Sequence, residues 1–327
     1  MGAPNAQNRV MASDEKTVEL QDSAASTGGK IASGGAPAYR LWGVDKAPLP
    51  ILIAVPHAGR AYPVAVIGAM RDPARSRLRL EDRHVDALAR EVAAQTGAAL
   101  IMAEAPRAML DLNRATDDVD WGMIAGARER EGRHSAANRR ARSGLGLVPR
   151  RLPGSGEIWR GPLPREELNS RIAGIHRPYH TALGTALETL RDRWGAALLL
   201  DLHSMPPLKA RFPDEHAPEF VIGDRFGISC NPLLSAASLR FFAGAGRAAA
   251  HNRPYSGGYV LDRHGAPARG MHALQLEVCR TAYLDARLDE PSARLPGVAR
   301  LLVTLVRTLA DNVVALARQD GLSQAAE

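Results

Sequence analysis

The feature that most constrains this chain is a set of short apolar runs interrupted by a few charged or imidazole side chains. Pro50-Ile51-Leu52-Ile53-Ala54-Val55 stops at Pro56 and is followed at once by His57-Ala58-Gly59-Arg60. Ala196 to Leu200 is apolar and runs into Asp201-Leu202-His203-Ser204. Leu274-Gln275-Leu276-Glu277-Val278 carries an acid inside an apolar stretch. Runs this short and this apolar read as strands covered on both faces. In open α/β sheets, ligands sit at the carboxyl ends of such strands. Pro56 ends the first strand and Gly59 lets the backbone turn away, which presents His57 at a sheet edge. His203 occupies the same kind of place. A carboxylate at Glu277 is costly to bury without a partner.

Helical spacing alternates with these runs. Val85, Leu88, Ala89 and Val92 fall at i, i+3, i+4, i+7 and predict a helix over 81–95, with Gly97 placed to end it. A long amphipathic helix is expected from Pro164 to about Arg193, interrupted near Arg177-Pro178. Helices are also expected over 232–251 and 295–318, and strands over 98–103, 108–112, 219–222, 259–261 and 273–278. Strands alternating with helices predict an α/β fold: a single domain with a central mixed, mostly parallel sheet flanked by helices. Residues 1–37, rich in Gly, Ala, Ser and Asp, read as a mobile tail before a domain spanning 38–320. The stretch 122–156, with GARERE, NRRARSGLG and PRRLPG, reads as an exposed basic loop insertion whose arginines form a solvated surface.

Composition removes other classes. The 327 residues allow one large domain or two small ones. No run of about 18 apolar residues exists to span a membrane, and the first residues lack a signal-peptide pattern. Cys230 and Cys279 cannot form a disulfide framework, so a cytoplasmic location is expected. The net charge of +7 raises the question of nucleic acid. Yet the arginines are dispersed along the chain, and aromatics at 5% are too few for a stacking surface. No nucleic-acid or membrane partner is therefore expected.

Two histidines and a carboxylate are the commonest donor set for a catalytic zinc that keeps one open position. His57 and His203 supply the imidazoles. Glu81 and Asp82 both fall in the first turn of the 81–95 helix, where its dipole favours negative charge, so either can supply the carboxylate. Asn113-Arg114, just after an expected strand, offers a planar fork and a further donor suited to clamping a carboxylate.

Together these motifs resemble the N-formylglutamate amidohydrolase (formylglutamate deformylase) family. The resemblance is carried in order by Pro56-His57-Ala58-Gly59, Glu81 to Asp86, Arg107 to Arg114, Pro178-Tyr179-His180, Asp201 to Ser204 and Gly270 to Glu277. It covers roughly residues 45–290, and the ALQLE stretch followed by Tyr283 is its most specific piece. It implies a zinc-carboxypeptidase-like domain, related to succinylglutamate desuccinylase, with one divalent metal ion, usually zinc. His57, Asp82 and His203 would be the ligands, Asp82 being preferred over Glu81 because it opens a D-x-x-V-D pattern with Asp86. Glu277 would be the general acid/base, Arg107 an oxyanion donor, and Asn113 with Arg114 the clamp for the substrate α-carboxylate. Arg60 and Ser204 are assigned to substrate contact, and Asp201 to support of a ligand. The implied reaction splits N-formyl-L-glutamate into formate and L-glutamate, as in histidine degradation, with a small N-acyl amino acid as the partner of a monomer or homodimer. Two departures stand out. Arg83 replaces a frequent Trp, and Leu261-Asp262 replace a Thr-Arg pair. If the latter segment faces substrate, the expectation shifts to a zinc amidase or carboxypeptidase for another N-acyl amino acid or a short peptide.

Overall fold

Period-two alternation divides the core into two layers. The computed structural model describes residues 20–32, 34–127, 139–152, 154–210 and 216–324. In it, all five residues of the strand Ile51–Val55 are buried. Leu52 and Ala54 pack on one face, and Ile51, Ile53 and Val55 on the other. The same division runs through an eight-stranded mixed sheet. Its strands are β1 (Ser26–Gly28), β2 (Tyr39–Trp42), β3 (Ile51–Val55), β4 (Ala99–Ala103), β5 (Ala197–Met205), β6 (Phe220–Gly223), β7 (Ala249–His251) and β8 (Met271–Cys279). Their spatial order is β1-β2-β4-β3-β5-β8-β6-β7. The central four, β4, β3, β5 and β8, are parallel. β2 and β6 join them antiparallel on either side.

Helices α1 (Val85–Thr96), α3 (Pro232–Gly244) and α5 (Leu295–Gln324) cover one face; α2 (Arg177–Trp194) and α4 (Tyr259–His264) cover the other. The result is the expected single α/β domain. α1 buries Val85, Leu88, Ala89 and Val92, the stripe read from the sequence, and Gly97 ends it at φ +72°. A turn of π-helix, Ile172–His176, joins the helix Arg165–Arg171 to α2. It lies just ahead of Pro178, which has no N–H to give an upstream carbonyl and whose ring crowds the preceding turn.

Several expectations need correction. The segment 108–112 is a series of turns, not a strand; its apolar side chains are buried because the loop is tucked beneath the cleft. Residues 259–261 open helix α4 instead of forming a strand. Helix α3 ends at Gly244, and after a turn β7 takes up Ala249–His251. The strand at 196–200 continues through Asp201 and His203 to Met205, so these polar residues lie within it and not after it. Within the segment read as a tail, β1 pairs with β2 and Ile31 is fully buried, so residues 26–32 belong to the domain; residues 1–19 lie outside the described residues. The basic stretch 122–156 is not wholly exposed: Ala141, Leu147 and Val148 are buried, while residues 128–138 lie outside the described residues. Among the described residues, no helix is long and apolar enough to cross a membrane.

Candidate metal centre and catalytic cleft

Strand alternation aims the key side chains. Leu199 packs on the α2/α4 face, so Asp201 and His203, at two-residue steps along β5, share that face. Ala273 packs on the same face, which brings Gln275 and Glu277 of β8 to it. The parallel register sets Glu277 beside His203 and Gln275 beside Asp201. His57 lies in the turn that follows β3. Asp82 sits in the link between the helix Pro73–Leu80 and α1, where its N–H donates to the His57 carbonyl at 3.0 Å.

That link explains why α1 begins at Val85 and not at Glu81. His84 adopts a left-handed φ of +54°. The Glu81 carbonyl accepts from Arg280 Nη2 instead of from a helix N–H. The choice between the two acids follows. Glu81 turns away, its carboxylate paired with Arg83 Nη1 at 3.0 Å and Arg77 Nε at 3.4 Å. Asp82 turns inward.

The donor atoms of His57, Asp82 and His203 lie within 4.8 Å of one another. Asp82 Oδ2 is 3.0 Å from His203 Nδ1 and 3.6 Å from His57 Nδ1, and the two imidazole centroids are 4.8 Å apart. Each remaining ring nitrogen is anchored behind: His57 Nε2–H donates to Asp111 Oδ1 at 2.7 Å and His203 Nε2–H to Asp201 Oδ2 at 2.9 Å. A carboxylate can only accept, so these bonds fix the Nε2–H form of His57 and leave its Nδ1 lone pair facing inward. His57 Nδ1 is buried with no hydrogen-bond partner. Carboxylate-backed imidazoles of this kind are the usual support of metal-ligating histidines.

Electrostatics point the same way. Burial opposes charge on Asp82, but the His203 hydrogen bond and the neighbouring His57 imidazole hold its carboxyl well below the usual range. Burial disfavours a charged His203, yet Asp201, Asp82 and Glu277 outweigh it and hold a proton there. The cluster thus draws positive charge to one point. The donor set and the orphaned Nδ1 fit a divalent cation, which would displace that proton.

Above this centre opens a cleft of about 230 Å³. His57, Asp82, His203 and Glu277 line it, together with Arg107, Asn113, Arg114, Ser204, Arg280 and the loop 254–258. A larger hollow of about 970 Å³, beside β1, β2 and α2, contains none of these groups. Burial foremost, with help from Asp82, raises the Glu277 carboxyl to about 7 against the opposing charges of His203 and Arg107. Gln275 Nε2 donates to its Oε1 at 3.0 Å. Arg107 Nε donates to Asp111 Oδ2 at 2.9 Å. Asn113 takes the Val260 N–H on Oδ1 at 2.9 Å, and its own N–H goes to Asp111 at 2.8 Å. A Cβ on Gly258 would come 2.5 Å from Asn113 Oδ1, so only glycine lets the loop lie this close. Arg114 donates from Nε to the Leu145 carbonyl at 3.0 Å.

Of the residues picked from sequence, Arg60 is placed elsewhere. It pairs with Asp86 and lines a separate pocket with Arg90 and Glu104, which corrects its assignment to substrate contact. Ser204 borders the cleft, but its Oγ already accepts from Arg280 Nε at 3.1 Å. The substituted pair Leu261-Asp262 does not line the cleft: Leu261 is fully buried against Gly257, and Asp262 pairs with Arg225. Sequence reasoning gave no role to Asp111, Gln275 or Arg280. Asp111 carried the same signature as Glu277, an acid between apolar neighbours in Leu110-Asp111-Leu112. Arg280 carried none, since its partners lie some 200 positions upstream.

Comparison with known proteins places the chain in a family. The model of the N-formylglutamate amidohydrolase family matches residues 49–284, a span that contains every cleft residue named above. An N-formylglutamate deformylase of Pseudomonas putida is 34% identical over 240 residues, 72% of this chain and 82% of that protein. One from Pseudomonas aeruginosa is 30% identical over 275 residues, covering 83% of this chain and 95% of that protein. The crystal structure of an N-formylglutamate amidohydrolase from Ralstonia eutropha superposes with a TM-score of 0.74 at 33% identity, covering 84% of this chain and 98% of that one. The chain belongs to the N-formylglutamate amidohydrolase family, hydrolases of a C–N amide bond.

Proposed function

We propose that this enzyme hydrolyses N-formyl-L-glutamate to formate and L-glutamate, using one divalent cation, zinc, held by His57, Asp82 and His203. The observation that carries this reading is the convergence of two carboxylate-backed imidazoles on Asp82, with His57 Nδ1 left unpartnered, directly beside Glu277. A cation bound there supplies Lewis acidity, polarising a carbonyl oxygen and making water acidic enough to attack at neutral pH.

The chain's own residues do the rest. Glu277, with a carboxyl near neutrality, accepts a proton from the attacking water. Water oxygen bonds to the formyl carbon, the C–N bond breaks, and Glu277 returns the proton to the departing nitrogen. Gln275 holds one carboxylate oxygen of Glu277, so the proton moves on the other. Arg107, fixed by Asp111, is the donor for the developing oxyanion. Asn113 and Arg114 hold the α-carboxylate; Asn113 is locked by Val260 and by the close approach of Gly258. The placement of Leu261 and Asp262 away from the cleft weighs against a changed substrate on their account.

The test is formate release from N-formyl-L-glutamate, with and without a chelator. Release equimolar with glutamate, lost on chelation and restored by zinc, is expected. No release from this substrate overturns the proposal. Release indifferent to a strong chelator removes the cation from it.

A further inference from the structure

Five arginines line the cleft: Arg79, Arg107, Arg114, Arg140 and Arg280. Three are committed. Arg107 is offset by Asp111 at 2.9 Å. Arg114 donates to the carbonyls of Leu145 and Asn113 and lies 3.9 Å from Asp111. Arg280 donates to Ser204, Leu78 and Glu81 and lies 3.8 Å from Asp82. The guanidiniums of Arg79 and Arg140 have no hydrogen bond or ion pair with any described residue, though both border the same small cleft.

Both side chains are exposed at the rim, but each stands on anchored backbone. Arg140 stands in the short helix Arg139–Arg142, part of the basic stretch that sequence alone assigned to solvent. That segment is laced to the Asn113-Arg114 loop. The Ala141 N–H donates to Asp118 Oδ1 at 3.0 Å, the Leu147 N–H to the Asp118 carbonyl at 2.6 Å, and the Asp111 N–H to the Leu147 carbonyl at 2.7 Å. Ala141 is fully buried, and Gly146 packs so close that a Cβ would meet the Asp118 carbonyl at 2.4 Å. Arg79 stands in the last turn of the helix Pro73–Leu80, which Leu80 anchors by burial and Arg280 holds through the Leu78 carbonyl. Two cations are thus carried by anchored backbone to the rim of the site.

We propose that Arg79 and Arg140 form a second anion subsite that takes the side-chain carboxylate of an acidic N-acyl amino acid, while Asn113 and Arg114 take the α-carboxylate. Planar guanidiniums suit a carboxylate, and two unpaired ones facing one cleft match a dianion better than a monoanion. The proposal rests on the hydrolytic reading above and adds which residues read the side chain.

The experiment compares wild type with the Arg79→Met/Arg140→Met double variant on N-formyl-L-glutamate and on its neutral isostere N-formyl-L-glutamine. The ratio of kcat/KM for the two substrates should fall by roughly 10-fold or more in the variant, with the glutamine substrate little changed. An unchanged ratio, or equal losses on both substrates, overturns the subsite. Calorimetric binding of glutarate and of butyrate separates this failure from failure of the hydrolytic reading. Wild type should prefer glutarate, and the double variant should lose that preference. A wild type that hydrolyses neither amide yet prefers glutarate sinks the hydrolytic reading and keeps the subsite. Equal binding of the two anions by wild type and variant sinks the subsite.

Discussion

Asp111→Asn tests how the centre is built. Asp111 is 1% exposed and accepts three hydrogen bonds: His57 Nε2 at 2.7 Å, Arg107 Nε at 2.9 Å and the Asn113 N–H at 2.8 Å. Its carboxyl is buried yet held well below the usual range by Arg107, His57 and Arg114. Asparagine has the same shape but one acceptor oxygen. If its NH₂ faces Arg107, a donor meets a donor and a buried guanidinium loses its counter-charge. If it faces His57, the imidazole must move its proton to Nδ1, which removes the lone pair from the cation site. Hydrogen bonds to charged groups are worth about 1.5–3 kcal/mol, and stranding a buried charge costs about 3–5 kcal/mol. Partial relaxation leaves an expected loss of about 2–4 kcal/mol, a fall in Tm of roughly 5–10 °C. Loss of a carboxylate behind a metal-bound histidine weakens metal affinity about 10–100-fold. Competitive chelator titration and thermal melts of the purified variant read both numbers. A variant that binds zinc within twofold of wild type and melts at the same temperature would refute the proposed role of Asp111.

Glu277→Gln should keep its cation while kcat falls by about 10³-fold or more; loss of the cation instead would make Glu277 a ligand. Stability should also respond to acid through the buried His176-His180-His264 cluster, whose Nε2 groups at 176 and 180 hold the Arg114 and Leu112 carbonyls. Burial, then Arg263 and His176, depress His264 from 6.5 to about 3. The unfolded chain takes this proton near 6.5 and the folded chain does not, so the stabilisation is complete above 6.5 and lost progressively as pH falls toward 3. Near pH 5 the His264 share of that loss is about 2 kcal/mol. Urea midpoints of wild type and His264→Leu between pH 7.5 and 5 should therefore converge as the pH falls; parallel curves would contradict the assignment.

How much of this was legible in the sequence depends on where the information sits. The central strands and α1 were readable because burial on both faces and the i, i+3, i+4, i+7 stripe are written into consecutive residues. The ends of the sheet were not. β1 is Ser-Thr-Gly, with no apolar pattern, and pairs with β2 through its backbone. Tyr259-Val260-Leu261 is too short to show a period, so an opening helical turn read as a strand. The same limit turned 108–112 into a strand, when its apolar residues are buried within a loop. At the centre, sequence and resemblance together brought out His57, His203, Asp82 and Glu277. Asp82 and not Glu81 faces the two imidazoles, because of the left-handed turn at His84 and of Arg77 and Arg83, which claim Glu81. Arg60, close to His57 in sequence, was drawn instead to Asp86. Adjacency in the chain does not set the direction of a long side chain; the nearest buried or half-buried charge does.

The central claim is that one divalent cation is held jointly by His57, Asp82 and His203. Elemental analysis of the purified enzyme, loaded with zinc and dialysed, measures it most directly, alongside His57→Ala, Asp82→Asn and His203→Ala. The account predicts about one zinc per chain in wild type and little in each variant, since removing a single ligand leaves only two protein donors. Full zinc content in folded His57→Ala or His203→Ala protein, or none in zinc-loaded wild type, would contradict it.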